Sequence, residues 1–222
     1  MSNVVITGAN RGIGLALAER FAARGDTVIA VCRESSSALD ALGVRIESGI
    51  EVTERDSLDR LADRLSGVDI DILINNAGVM RATGFDELED QLDEFRLQFE
   101  VNALAPIRVT RALSESLAEG SKVAIVTSRM GSIADNDSGG HYGYRMSKAA
   151  VNMAGASLAV DLAPRGISVG LLHPGFVRTG MTGNNGLVDA DESAAGLVDR
   201  IDALSAQNSG SFYHANGEKL PW

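Results

Sequence analysis

The chain has 222 residues, 45% hydrophobic and 23% charged, a globular rather than a disordered composition. Its 20 Lys and Arg against 30 Asp and Glu leave a formal charge of −10, so no nucleic-acid partner and no polybasic membrane contact is expected. One cysteine, Cys32, excludes an intrachain disulfide and a cysteine-rich zinc site, and the three histidines lack metal-ligand spacing, so no metal is expected.

The N-terminus enters Val4-Val5-Ile6 at once, with no basic region and long apolar stretch behind it. No uncharged apolar run reaches the roughly 18 residues of a spanning helix, and the expectation is a cytoplasmic protein without a membrane partner. Short β-rich runs then alternate with amphipathic stretches. Val4–Thr7 is the first predicted strand, followed by the turn Thr7-Gly8-Ala9-Asn10-Arg11-Gly12-Ile13-Gly14 and a helical stretch through Phe21. Gly8 permits a tight turn, Gly12 leaves a pyrophosphate unobstructed, and Gly14 lets helix and strand approach. The free N–H groups and positive end of such a helix suit an anion. A glycine turn alone is also compatible with a purely structural role; its place after the first strand favours the binding one.

The second strand, Thr27–Cys32, leads into Arg33. An acid near this point suits a ribose 2′-hydroxyl and an arginine suits a 2′-phosphate. Arg33, with Arg11 in the glycine turn, therefore favours NADP(H) over NAD(H); the alternative is a solvated loop charge. Val44–Ile50 is the third predicted strand. Leu58, Leu61, Ala62 and Leu65 have helical spacing, and Ile70–Asn75 is the fourth strand.

Pro106 has no N–H for the carbonyl of residue 102. If the surrounding segment is helical, the Asn102 carbonyl is left free for water; the alternative is a proline in a first helical turn. The fifth strand, Lys122–Ser128, ends on a hydroxyl at the carboxyl edge, where ligands of such sheets bind. Tyr144 and Lys148 share a helix face at i, i+4. An ammonium close to a phenol lowers its pKa from about 10, which would make Tyr144 a usable acid and base. Ile167–His173 and Ser211–His214 complete the strands. Runs such as Val123-Ala124-Ile125-Val126 are apolar at every position, as in a parallel sheet covered on both faces. The β-α order predicts one doubly wound α/β domain over 1–222, with a parallel sheet of about seven strands joined by right-handed crossovers.

Taken together, these motifs resemble the short-chain dehydrogenase/reductase family in its classical form, over nearly the whole chain. The resemblance implies a Rossmann-type fold and a cofactor site. Gly8, Asn10, Arg11, Gly12, Ile13 and Gly14 would form its loop, and Arg33 would meet the adenosine end. Glu51 and Val52 stand where the family commonly has Asp-Val, so that assignment is weaker. Asn75, Ala77 and Gly78 belong to the segment Asn75-Asn76-Ala77-Gly78 after the fourth strand. Pro174, Gly175, Val177 and Thr179 would receive the nicotinamide carboxamide. The implied catalytic tetrad is Asn102, Ser128, Tyr144 and Lys148. Tyr144 would deliver a proton, Ser128 would hydrogen-bond the substrate oxygen, Lys148 would bind the nicotinamide ribose, and Asn102 would hold a water through its carbonyl.

The separation of Ser128 from Tyr144 is longer than usual in the family, with the surplus in the polar loop Asp135–Gly140. That loop, Gly139-Gly140-His141-Tyr142-Gly143-Tyr144 and the ending Leu220-Pro221-Trp222 resemble the sniffer and C-factor carbonyl reductases. The resemblance implies an NADPH-dependent reductase of a small aldehyde, ketone or quinone. The alternatives are an alcohol dehydrogenase, or a cofactor-binding signalling protein. Pocket candidates are Val79, Met80, Met130, Ile133, His141, Tyr142 and Phe176. Gly180–Asp189 reads as a short, mobile lid, and Asp189 with Glu192 as a capping box for the next helix. Family members often form homodimers through helices here near 86–118 and 142–164.

Overall fold

The protein's structure, a computed structural model, describes residues 1–222. Seven strands form one parallel sheet in the order β3-β2-β1-β4-β5-β6-β7. They are β1 (Asn3–Thr7), β2 (Thr27–Val31), β3 (Arg45–Glu47), β4 (Ile70–Asn75), β5 (Leu117–Val126), β6 (Ser168–His173) and β7 (Phe212–His214). The helices are α1 (Gly12–Ala23), α2 (Ser37–Asp40), α3 (Arg55–Arg64), α4 (Leu92–Phe99), α5 (Ala105–Ala112), α6 (Tyr142–Leu162) and α7 (Ala190–Asp202). This is the doubly wound Rossmann-like arrangement, and no helix is long and apolar enough to cross a membrane.

The unbroken apolar strands follow from helices on both faces. Val5, Leu73 and Val123 point into a core of 22 residues shared with α3, α5 and α6. Val4, Ile6, Ile72 and Ala124 point into one of 20 residues shared with α1 and α7. Because successive strand residues alternate in direction, both sets must be apolar. The order reverses at β1, which pairs with β2 on one side and β4 on the other, so the crevice opens at the carboxyl ends of those strands.

Two strands differ from expectation by several residues. β3 is shorter than Val44–Ile50. β5 begins at Leu117, where Leu117 pairs with Ile70 before the register shifts and Lys122 pairs with Ile72. The exposed residues Ala118, Glu119 and Gly120 disguise that early start. Pro106 does not open a separate helix. Helical backbone runs from Leu92 to Ala112, with a π turn over Glu100–Leu104 in which the Ala105 N–H reaches the Glu100 carbonyl. Pro106 follows as the second residue of α5, where its missing N–H leaves the Asn102 carbonyl without the usual helical donor. A π turn inside a helix is a frequent mark of a functional position.

Candidate active site

The glycine turn and the segment after β4 are welded together. Thr7 Oγ1 accepts the N–H groups of Asn76 (3.0 Å) and Ala77 (3.1 Å). The Asn76 side chain donates to the carbonyls of Thr7 (2.9 Å) and Gly8 (3.1 Å). A Cβ on Gly14 would stand 2.3 Å from the Gly8 carbonyl oxygen and 2.5 Å from Asn76 Nδ2, so only glycine fits. Gly12, at φ +56°, faces Thr179 Cγ2 at 3.5 Å from its notional Cβ. The glycine turn and the Pro174–Thr179 segment therefore meet across the crevice. Neither a side-chain cap nor an acidic residue occupies the first turn of α1, which leaves its N–H groups available to an anion. The residues present thus fit a dinucleotide.

Where the adenosine end is expected, Asn10 holds the Glu34 carbonyl through its amide and receives Ser36 Oγ at its own carbonyl. Arg11 is exposed and Ile13 half-buried. Arg33 is also exposed and lies 3.4 Å from Glu51 Oε2, while Glu51 Oε1 accepts the Thr53 N–H. Val52 is a core residue and Asn75 is buried. The Asn75 amide donates to Thr110 Oγ1 on α5, so its side chain is turned to the scaffold, and it is Asn76 that builds the crevice. The doubled asparagine was the signal for that role. Gly78 approaches the reacting side, its notional Cβ being 3.3 Å from Asn102 Oδ1 and 3.8 Å from Lys148 Nζ.

Ser128, Tyr144 and Lys148 come together, all buried. Ser128 caps the short turn Arg129–Gly131, its Oγ accepting the Met130 N–H at 3.1 Å. The Tyr144 phenol lies beside Ser128, whose hydroxyl favours its ionised form. Lys148 Nζ donates to the Val126 carbonyl (3.0 Å) and sits 5.7 Å from the Tyr144 ring centroid. Asn102 clamps Val79, accepting its N–H and donating to its carbonyl, each at 2.8 Å, and also donates to Ser147 Oγ (3.0 Å). Gly131 seats the Ser128 turn on α6, since its notional Cβ would lie 2.6 Å from the Lys148 carbonyl carbon.

The electrostatics correct one expectation. Burial pushes the Tyr144 phenol up to about 12, and the Ser128 hydroxyl only partly opposes it. Burial also pulls Lys148 down to about 8. Desolvation outweighs the ammonium's expected effect, and the same burial disfavours Lys148 as a cation. His173, beside Pro174-Gly175, is drawn down to about 3 by burial, then by His214, Arg129 and Lys148, and its Nδ1 has no partner. It packs edge-on to His214, with ring centroids 4.8 Å apart.

The residues named from sequence for the pocket differ in exposure. Of the candidates named from sequence, Ile133, Tyr142 and Phe176 are exposed, and His141, also exposed, takes a left-handed conformation at φ +48°. Val79, Met80 and Met130 are half-buried. Sequence reasoning missed exposed Phe85, whose ring lies 6.2 Å from that of Tyr142, and exposed Met181 and Leu187 in the lid.

The lid is less free than its composition implied. Arg178 Nε donates to Asp189 Oδ1 (2.7 Å), its Nη1 donates to the Gly186 carbonyl (3.0 Å), and Val177 pairs with Val188. Asp189 does precede α7, but its carboxylate is drawn to Arg178 and makes no side-chain cap, so the expected capping box is absent.

A family model described as short chain dehydrogenase matches residues 2–188. The chain is 43% identical over 228 residues to 1-hydroxy-2-glutathionyl-2-methyl-3-butene dehydrogenase of Rhodococcus sp. (strain AD45), with all of both chains covered. It is 46% identical over 155 residues to C-signal of Myxococcus xanthus, covering 69% of this chain and 93% of that one. Among solved structures it resembles a carbonyl reductase from Pseudomonas aeruginosa in complex with NADP, at TM-score 0.84 and 36% identity over all of both chains. It also resembles the carbonyl reductase Sniffer of D. melanogaster, at TM-score 0.89 and 29% identity over all of both chains.

Proposed function

The chain belongs to the short-chain dehydrogenase family, and from that membership we propose that it is an NADPH-dependent reductase of small apolar carbonyl compounds. The observation that carries this reading is the buried cluster of Ser128, Tyr144 and Lys148 beside a crevice shaped for a dinucleotide. NADPH, when bound, supplies the hydride. Ser128 and Tyr144 hold the substrate oxygen between their hydroxyls, and Tyr144 gives it the proton. A phenol pushed up to about 12 remains protonated at neutral pH, which suits a donor in the reductive direction. The Lys148 ammonium binds a ribose hydroxyl, and Asn102 fixes the Val79 backbone at the pocket's edge. Exposed Arg33 and Arg11, together with the NADP found in the Pseudomonas relative, support the phosphorylated cofactor. The exposed side chains of Phe85, Tyr142, Ile133 and Phe176 support an apolar substrate.

The test is NADPH oxidation with a panel of aldehydes, ketones and quinones, beside Tyr144→Phe. Turnover by the wild type and its loss in the variant is the expected result. NADPH binding with no carbonyl turned over would favour a signalling role, the reading suggested by the similarity to C-signal. Oxidation of an alcohol is a second reading, favoured by the full-length similarity to the Rhodococcus dehydrogenase, and NADP with an alcohol panel tests it. The exposed stripe Met146, Met153 and Val160 on α6 supports a homodimer, which sedentation by analytical ultracentrifugation would reveal as twice the chain mass.

A further inference from the structure

The residue following Ser128 is Arg129, and the residue following Tyr144 is Arg145. Both turn to the same segment, the polar insert that separates the two hydroxyls. Arg129 Nε lies 3.0 Å from Asp135 Oδ2, an ion-pair contact without hydrogen-bond alignment, and its Nη2 donates to Glu218 Oε1 at 2.8 Å. Arg145 Nη2 donates to Ser138 Oγ at 2.8 Å and its Nε to the Gly139 carbonyl at 3.1 Å. The ends of the insert are thus held by side chains that each adjoin a reacting hydroxyl.

Residues 133–142 are all exposed, so burial does not order them. Fixing such a segment costs backbone entropy at every residue, and specific bonds must offset it. Its own turns supply some: Ser132 Oγ accepts the Asp135 N–H (3.1 Å) and Asn136 Oδ1 accepts the Gly139 N–H (3.2 Å). Its exit into α6 is set by three successive left-handed residues, Gly139, Gly140 and His141. That conformation is unfavourable for histidine and persists only where the surroundings impose it. The Ala134 N–H donates to the Trp222 carbonyl at 2.9 Å, and Glu218 reaches Arg129, so the C-terminal segment braces the first half. Gly131 seats the Ser128 turn on the α6 backbone as a pivot.

We propose that the insert is a strap, tied at one end by Arg129 and at the other by Arg145, that holds the Ser128 and Tyr144 hydroxyls in register. The two arginines are positioning residues for the reaction. The chemical consequence rests on the reductase reading above; the strap itself rests on the geometry alone.

The test compares Arg129→Gln, Arg145→Gln and the double variant. Each single change lowers kcat about tenfold at unchanged KM for NADPH, and the double change adds no more than about twofold, because freeing either end already frees the strap. Arg129→Lys, which keeps a cation beside Asp135 and Glu218, restores most of the loss. Full additivity, about a hundredfold, or unchanged kcat in both single variants overturns the proposal. A second readout needs no turnover. The ¹H–¹⁵N heteronuclear NOE falls at Gly139 in Arg129→Gln and at Asp135 in Arg145→Gln, the far end in each case. Unchanged far-end values overturn the strap, even if the wild type reduces no carbonyl and the reductase reading fails. Should an arginine variant misfold, Asp135→Asn unties the first end at an exposed position and carries the same expectations.

Discussion

The two walls of the crevice are built in opposite ways. The glycine turn, welded to the β4 turn, is shaped by side chains that are missing: at Gly14 a single added carbon would meet the Gly8 carbonyl at 2.3 Å. The opposite wall is shaped by side chains that are present and buried, with Ser128, Tyr144, Lys148 and Asn102 each committed to a particular partner. A wall of backbone binds any ligand that follows its contour, whereas a wall of buried polar groups acts on one bond. Damage to the first should therefore appear as lost cofactor affinity, and damage to the second as lost turnover.

The largest effect expected is on the second wall. Tyr144→Phe lowers kcat about a thousandfold by removing the proposed proton donor, while the NADPH dissociation constant, read by fluorescence titration, stays within about threefold. Comparable losses in both quantities would mean that the walls are not separable. Next comes Gly14→Ala. Overpacking of this kind costs about 1–3 kcal/mol, and here it displaces the turn itself, so NADPH affinity falls about tenfold to a hundredfold and the melting temperature drops. The remaining NADPH-saturated kcat should be close to that of the wild type.

A third prediction concerns pH. His173 lies behind the second wall and is drawn down to about 3 in the folded chain, against 6.5 for the free side chain. Below pH 6.5 the unfolded chain takes up a proton that the folded chain refuses, so stability falls as the pH drops towards 3. The slope from this group is up to about 1.4 kcal/mol per pH unit. Urea titrations of His173→Leu should show a shallower acid loss than the wild type; parallel curves would remove His173 as a cause. The smallest effect lies at the adenosine end. Arg33→Ala weakens NADPH about fivefold and leaves NADH unchanged, as expected for one exposed charge on a phosphate. Glu51→Gln, which frees Arg33 from its 3.4 Å neighbour, should move NADPH affinity the other way by about twofold.

The same contrast explains what the sequence disclosed. The glycine turn and the Tyr144–Lys148 pair are local patterns, so their positions could be read from spacing alone. The two-sided sheet was visible in runs such as Val123–Val126, since both faces must be apolar. The direction of the Tyr144 shift was not visible, because desolvation depends on what surrounds the ring and spacing does not report it. The role of Asn76 required knowing that β4 lies beside β1. The failed capping box at Asp189 is a competition: Arg178, far enough away to escape a four-residue motif, offers a full charge where the helix offers an N–H. The bond from Arg129 to Glu218 spans 89 positions and left no local trace.

The weld between Thr7 and Asn76 also imposes an order of events. Its bonds join residues 69 and 70 positions apart, so the crevice does not exist until β4 has docked against β1. During synthesis, the first strand and the glycine turn leave the ribosome well before residue 76 and must wait for it. A nascent chain stopped short of β4 should be unable to retain a dinucleotide, however complete its glycine motif. Assembly of the binding site is in this sense a late step, timed by the arrival of one asparagine.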